Sequence, residues 1–152
     1  VVKELLDWYK SESAMGRLRI RKTFGALRRA RLIETREFPD GTSELVLSER
    51  GKKRLLRYRF EDMKLAEQTK WDGRWRFVLF DIPKAYRRER ELLRGKIKAF
   101  GFHKLQRSVW VYPFPCRDEI DFVSDYLGLG PFVRIAEAVD FDGSGEVKKI
   151  FF

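Results

Sequence analysis

Residues 74–141 hold the tightest constraint on the fold, a succession of apolar runs that switch between strand and helix period and are cut by Gly, Pro or polar clusters. RWRFVLFDIP (74–83) is a strand whose apolar run stops at Asp81. KAYRRERELLRGKIKAF places Leu92, Leu93, Ile97, Ala99 and Phe100 on a basic helix over about 85–99, ended by Gly101. GFHKLQ and RSVWVYPF are two strands, DEIDFVSDYLGL is a helix carrying Ile120, Phe122, Val123 and Leu127, and FVRIAEAVDF is a fourth strand. VKKIFF is read as an added edge strand. The order βαββαβ predicts a ferredoxin-like sandwich, with two helices on one face of an antiparallel sheet. Its other face then needs a cover.

The 152 residues contain 33 Lys and Arg against 23 Asp and Glu, a net charge of +10. So basic a chain suits an anionic partner, and nucleic acid is the commonest one. The charge is also sorted along the chain. Residues 1–70 carry 18 basic and 11 acidic side chains, 84–107 carry nine and two, and 108–152 carry four and eight. Two basic zones with an acidic tail favour an oriented binding surface, although solvated helix faces give similar patterns. The apolar stretches fall far short of the ~20 residues of a membrane span, and no leader pattern opens the chain; a soluble, cytoplasmic protein is expected. One cysteine (Cys116) and one histidine (His103) rule out an internal disulfide and a Cys/His zinc site. Both read as ordinary structural or surface positions.

The first half has a different grammar. Val2, Leu5, Leu6 and Tyr9 sit at helical spacing before a polar SES break. In LRIRKTFGALRRARLIE (18–34), Ile20, Phe24 and Leu27 make an apolar seam, with Arg21, Lys22, Arg28 and Arg29 on other faces; the helix is expected to stop near Leu32 and Ile33. REFPDGTSELVLS (36–48) is a hairpin turning at Pro39-Asp40-Gly41, and Ser48 can cap a further helix carrying Leu55, Leu56, Tyr58 and Phe60. Helix, basic helix, hairpin, helix is the order of a winged helix-turn-helix. The stretches Ile20–Glu34 and Leu47–Leu55 resemble winged-helix transcriptional regulators. Two helices normally precede the recognition helix there, and here only Val1 to Gly16 stands before it. Glu61 to Gly73 is polar, lacks Gly and Pro until Gly73, and is expected to be helical with the domain boundary near Thr69.

The second half is similar to the CRISPR-associated adaptation protein Cas-two over roughly residues 74–140. The likeness rests on an apolar strand ending in Asp81, an Arg-bearing helix, Gly101 and the Gln106-Arg107-Ser108-Val109-Trp110 run. More of the chain resembles the PaaX-like family of phenylacetate-responsive repressors, in which a winged helix precedes a central Cas-two-like domain; WDGRWR (71–76) matches the approach to its first strand. The resemblance implies an α+β chain. Residues 1–69 would be a winged helix-turn-helix DNA-binding domain and residues 70–152 a ferredoxin-like, Cas-two-like dimerisation domain.

Two functions compete. The first is a transcriptional repressor that binds double-stranded DNA as a homodimer and needs no cofactor. Its DNA contacts would be Arg21, Lys22, Thr23, Arg28 and Arg29 on the recognition helix, Arg36 near the wing, and Arg87 and Arg88 in the second domain. Arg19 and Arg31 would flank them at phosphates, and Arg90, Arg94, Lys96 and Lys98 either extend the contact or keep their helix solvated. The alternative is a metal-dependent endonuclease or CRISPR adaptation component, with Asp81 as catalytic residue and Mg or Mn ligand between two chains. One carboxylate per chain is thin chemistry for that, so enzymatic activity is not favoured; Asp81 as a cap of the following helix competes with it. A third possibility is a dimeric scaffold whose basic helix serves a protein partner.

Overall fold

A computed structural model describes residues 13–152; the helix expected over Val1–Lys10 lies outside the described residues. The chain divides into two compact units between Glu61 and Asp62, ahead of the boundary near Thr69 expected from the sequence.

The first unit opens with α1 (Ala14–Arg29). The Ser13 hydroxyl accepts the Gly16 N–H at 3.1 Å, so Ser13 is a helix cap and the helix begins before the expected Leu18. It also ends sooner. Leu32 N–H donates to Leu27 C=O and Arg31 N–H to Arg28 C=O, both at 2.9 Å, around Arg31 at φ 54°. This closure releases Leu32 and Ile33 from the helix, and both are buried. β1 (Ile33–Glu37) pairs antiparallel with β2 (Ser43–Leu47), Ile33 opposite Leu47 and Arg36 opposite Glu44. Gly41 takes φ 81° in the turn, where the Asp40 carboxylate accepts the Thr42 N–H at 2.9 Å. α2 (Glu49–Asp62) follows. As expected, Ser48 caps it, accepting the Gly51 N–H at 3.0 Å, and its hydroxyl also donates to Arg31 C=O at 2.7 Å. Gly51 lies against Leu32 so closely that a Cβ would stand 2.0 Å from the Leu32 carbonyl oxygen.

The second unit runs through β3 (Trp75–Phe80), a 3-10 turn (Lys84–Tyr86), α3 (Arg87–Ala99), β4 (His103–Gln106), β5 (Val109–Tyr112), α4 (Arg117–Tyr126), a second 3-10 turn (Gly130–Phe132), β6 (Val133–Ala138) and α5 (Ser144–Phe151). Its four strands are antiparallel in the order β4-β5-β3-β6. From β3 to β6 this is the βαββαβ succession predicted by the apolar runs. Gly101 at φ 86° closes α3 with the same bond pattern as α1, Phe102 N–H to Ile97 C=O at 3.3 Å and Gly101 N–H to Lys98 C=O at 3.0 Å. Leu93 and Ile97 are fully buried, whereas Leu92 is exposed: at ~100° per residue it lies off the stripe that Leu93, Ile97 and Phe100 share.

Three expectations fail for tertiary reasons. VKKIFF is not an edge strand. It belongs to α5, which puts Val147 and Phe151, four residues apart, against Trp75 and Val111, with Phe77, Leu105, Phe141 and Trp71 around them. The sheet face left bare by a βαββαβ layout is thereby covered, and burial of each such side chain contributes about 1.5–3 kcal/mol. Alternation along β3 turns Val78 and Phe80 to the opposite face, where the Arg94 guanidinium of α3 lies 5.7 Å from the Phe80 ring centroid. Second, the polar stretch is not helical past Asp62, for no helix or strand occurs between it and Trp75. Its side chains are bound elsewhere: Gln68 donates to Pro115 C=O at 3.2 Å and the Trp71 indole to Arg74 C=O at 2.9 Å. Third, Asp81 caps no helix, because Pro83 and the 3-10 turn separate it from α3, whose start has no side-chain cap.

Trp71-Asp72-Gly73-Arg74-Trp75-Arg76 is a structural lock. Arg76 is only 5% exposed. Its guanidinium donates to both Asp72 carboxylate oxygens, to Arg74 C=O at 2.8 Å and to Pro113 C=O at 2.9 Å. Glu137 of β6 lies 3.7 Å from Nε. Gly73 at φ 80° makes the tight turn that lets Asp72 also accept the Arg74 N–H at 3.1 Å. The Arg76 hydrogen bonds hold the Asp72 carboxyl at about 2, below its usual 3.8.

Candidate nucleic-acid interface

In the first unit, α1 separates its two chemistries by period. Ile20, Phe24 and Leu27 are half-buried, while Arg19, Arg21, Lys22, Arg28 and Arg29 are exposed. Arg21 and Arg28 are seven residues apart, as are Lys22 and Arg29, so the four stand in two neighbouring stripes about two helical turns long. Thr23 stands apart from them. Its hydroxyl donates to Arg19 C=O at 3.0 Å, and it lines an apolar groove between α1 and α2 with Ala26, Leu27, Leu55 and Tyr58. Arg36 is exposed on β1, facing Glu44 across the hairpin. Arg31 is exposed but serves the backbone as well, since its left-handed conformation closes α1 and its carbonyl receives the Ser48 hydroxyl.

In the second unit, Asp81 follows β3 directly. It is exposed, and its N–H donates to Phe132 C=O at 3.1 Å. It shares a shallow depression with Ser108, Val109, Pro131 and Arg134. Among the described residues, no group of three or more His, Cys, Asp or Glu is placed to hold a metal ion. One carboxylate beside an arginine can take part in an ion pair, but it gives Mg²⁺ a single oxygen of the six it requires.

Arg87 and Arg88 begin α3, and both are exposed. Arg87 lines a trough with Lys84, Arg90, Glu91, Arg94 and Arg107; Arg88 is outside that lining. Arg94 is the most constrained of these. It donates to Glu91 at 3.0 Å and to Arg107 C=O at 3.1 Å, across to the β4–β5 turn. Burial lowers the Lys96 pKa, partly offset by Asp62. Sequence spacing along α3 gave no hint of the contribution of Arg107; its place in the Gln106-Arg107-Ser108 turn was the available signal. Cys116 is buried, which pushes its thiol up to about 12, so it is no nucleophile. Among the described residues, no helix is long and apolar enough to cross a membrane.

A family model of the PaaX protein central Cas2-like domain matches residues 68–150. No curated protein and no solved structure matches the chain. The match covers the Trp71–Arg76 lock, the whole four-stranded sheet and nearly all of α5. Spanning more than half of the sequence, it shows that the chain belongs to the PaaX family, through its central Cas2-like domain.

Proposed function

We propose that this chain is a DNA-binding transcriptional regulator of the PaaX type, a repressor that binds duplex DNA as a homodimer in the cytoplasm. The observation that carries the reading is the exposed double stripe of Arg21, Lys22, Arg28 and Arg29 on α1, next in the chain to the β1–β2 hairpin. As a winged helix-turn-helix, the first unit would lay α1 in the major groove, where Arg reads guanine edges, and use Arg36 of the hairpin and Arg19 at phosphates. Arg87 and Arg88 would add backbone contacts. Pairing through the second domain would space two recognition helices by about one DNA turn, ~34 Å, or a multiple of it. Because α5 covers one sheet face, the surfaces left for pairing are the β4 and β6 edges and the outer helix faces. Binding requires no metal. Asp81 is a mark of the fold's ancestry, and one carboxylate per chain is thin chemistry for an endonuclease.

The test is a duplex gel shift with divalent ions chelated. The parent chain is expected to shift duplex DNA at low salt, Asp81→Ala to shift it equally, and the double variant Arg21→Glu/Arg28→Glu to lose the shift. Absence of duplex binding by the parent would sink the proposal, as would magnesium-dependent cleavage that Asp81→Ala abolishes.

A further inference from the structure

The trough along α3 continues into a second depression. The two share Glu91, Arg94 and Arg107, and the second adds Lys98 from the end of α3 and His103 and Lys104 from β4. One wall is therefore α3, and the other is β4 with the β4–β5 turn. Together the linings hold seven Lys and Arg against the single carboxylate of Glu91. That carboxylate is engaged by Arg90 at 3.4 Å and Arg94 at 3.0 Å, so it orients two guanidinium groups and leaves an excess of positive charge. Both are largely ordered against the protein, with side chains 19% and 22% exposed, so fixing them on a ligand costs less entropy than fixing free surface arginines.

The aromatic residues in the lining bear on the form of the ligand. Trp110 lines this depression and is 7% exposed, and its indole N–H has no hydrogen-bond partner. The remaining ring in the lining, Phe102, is 5% exposed. Neither ring offers a face on which bases could stack, so a single strand bound by stacking does not suit the trough. Oxygen acceptors with negative charge do.

We propose that the trough between α3 and β4 is a binding site for the phosphodiester backbone of duplex DNA, sequence-independent and separate from the reading face of α1. From Arg87 to Lys98 the α3 wall runs ~17 Å at 1.5 Å per residue, long enough to meet several phosphates of one strand. Arg94, Lys98, Lys104 and Arg107 contact phosphate oxygens, and the Trp110 ring beside them in the lining reports their occupancy. The site deepens the proposed DNA-binding function and rests on it.

The experiment measures binding of the full chain to a random-sequence DNA duplex by fluorescence anisotropy across a salt series, with divalent ions chelated. Lys98→Glu/Lys104→Glu changes two exposed side chains that the core does not use. It is expected to weaken random-duplex binding about tenfold or more at low salt and to flatten the log–log salt slope by about 2. The ¹H–¹⁵N signal of the Trp110 indole should shift when duplex is added to the parent, and stay still in the double variant. Parent-like affinity and slope in Lys98→Glu/Lys104→Glu would overturn the trough proposal while leaving the regulator reading intact. A parent chain that binds no duplex would overturn both. A single-stranded probe bound more tightly than the duplex, with the same two lysines required, would overturn the choice of duplex.

Discussion

The two units of this chain solve the same local problem with different residues. α3 ends on Gly101 and α4 is followed by Gly128, both at positive φ where glycine costs least; α1 ends with the same bond pattern on Arg31 at φ 54°. An L-residue there costs about 1 kcal/mol. The core differs in the same sense. In the second unit Trp75, Val78, Leu93, Ile97, Val111, Ile120 and Val123 are sealed from solvent, whereas in the first only Leu32, Ile33 and Gly51 are buried among the described residues. Among the described residues, strain and thin packing gather in the unit that carries the basic face of α1, and apolar mass gathers in the Cas2-like domain. A backbone outlier that also carries a charge is where a functional constraint is expected to override stability.

The largest effect that would break this contrast is steric. Gly51→Ala drives a Cβ to 2.0 Å from the Leu32 carbonyl oxygen and should destabilise the first unit by about 3 kcal/mol. Hydrogen exchange should then show α1 and the hairpin opened while amides of β3 and β5 stay protected. Loss of protection in β3 and β5 as well would mean that the two units do not differ in stability as their cores suggest.

In the second unit, the comparable weak point is electrostatic. Asp72→Asn removes the charge facing the buried Arg76 and should cost about 1 kcal/mol at neutral pH, because the Asp72 side chain is 44% exposed and solvent screens the pair. The Asp72 carboxyl is depressed in the folded state to about 2, so its contribution is present above its usual value near 3.8 and fades as pH falls towards 2. Chemical unfolding of the parent should therefore lose stability over that window. Asp72→Asn should lack this loss, and the two should converge near pH 2.

The smallest effect is the most discriminating. Arg31→Gly relieves the left-handed strain and should raise the stability of the first unit by up to about 1 kcal/mol, while duplex affinity falls severalfold through loss of one phosphate contact. A variant that is both more stable and binds as well would show that Arg31 is an accident of sequence.

The Cas2-like domain was largely legible because its constraints are local. Strand and helix periods, Gly101 and the Gln106–Trp110 run lie within short windows, and Ser48 as a cap was legible for the same reason. α5 was not, since Val147, Ile150 and Phe151 suit a short apolar run of either period, and the bare sheet face decides between them. The burial of Arg76 was not read from the sequence, although Asp72 stands four residues before it, a spacing that could have signalled the ion pair. In the first unit, the basic stripe of α1 was legible from its seven-residue spacing; the placement of Thr23 towards an apolar groove was not, because it depends on where α2 packs. The trough was half visible, for its α3 wall is one run of sequence. Its β4 wall, with Lys104 and Arg107, comes close only once the sheet has formed.

The most direct measurement is the salt dependence of duplex affinity for the parent chain and for Arg21→Glu/Arg28→Glu, with divalent ions chelated. Six to ten neutralised phosphates predict a log–log slope of about −5 to −9 for the parent. The double variant should bind far more weakly and with a shallower slope. A parent slope near zero, or a variant indistinguishable from the parent, would contradict the assignment of DNA binding to the basic face of α1.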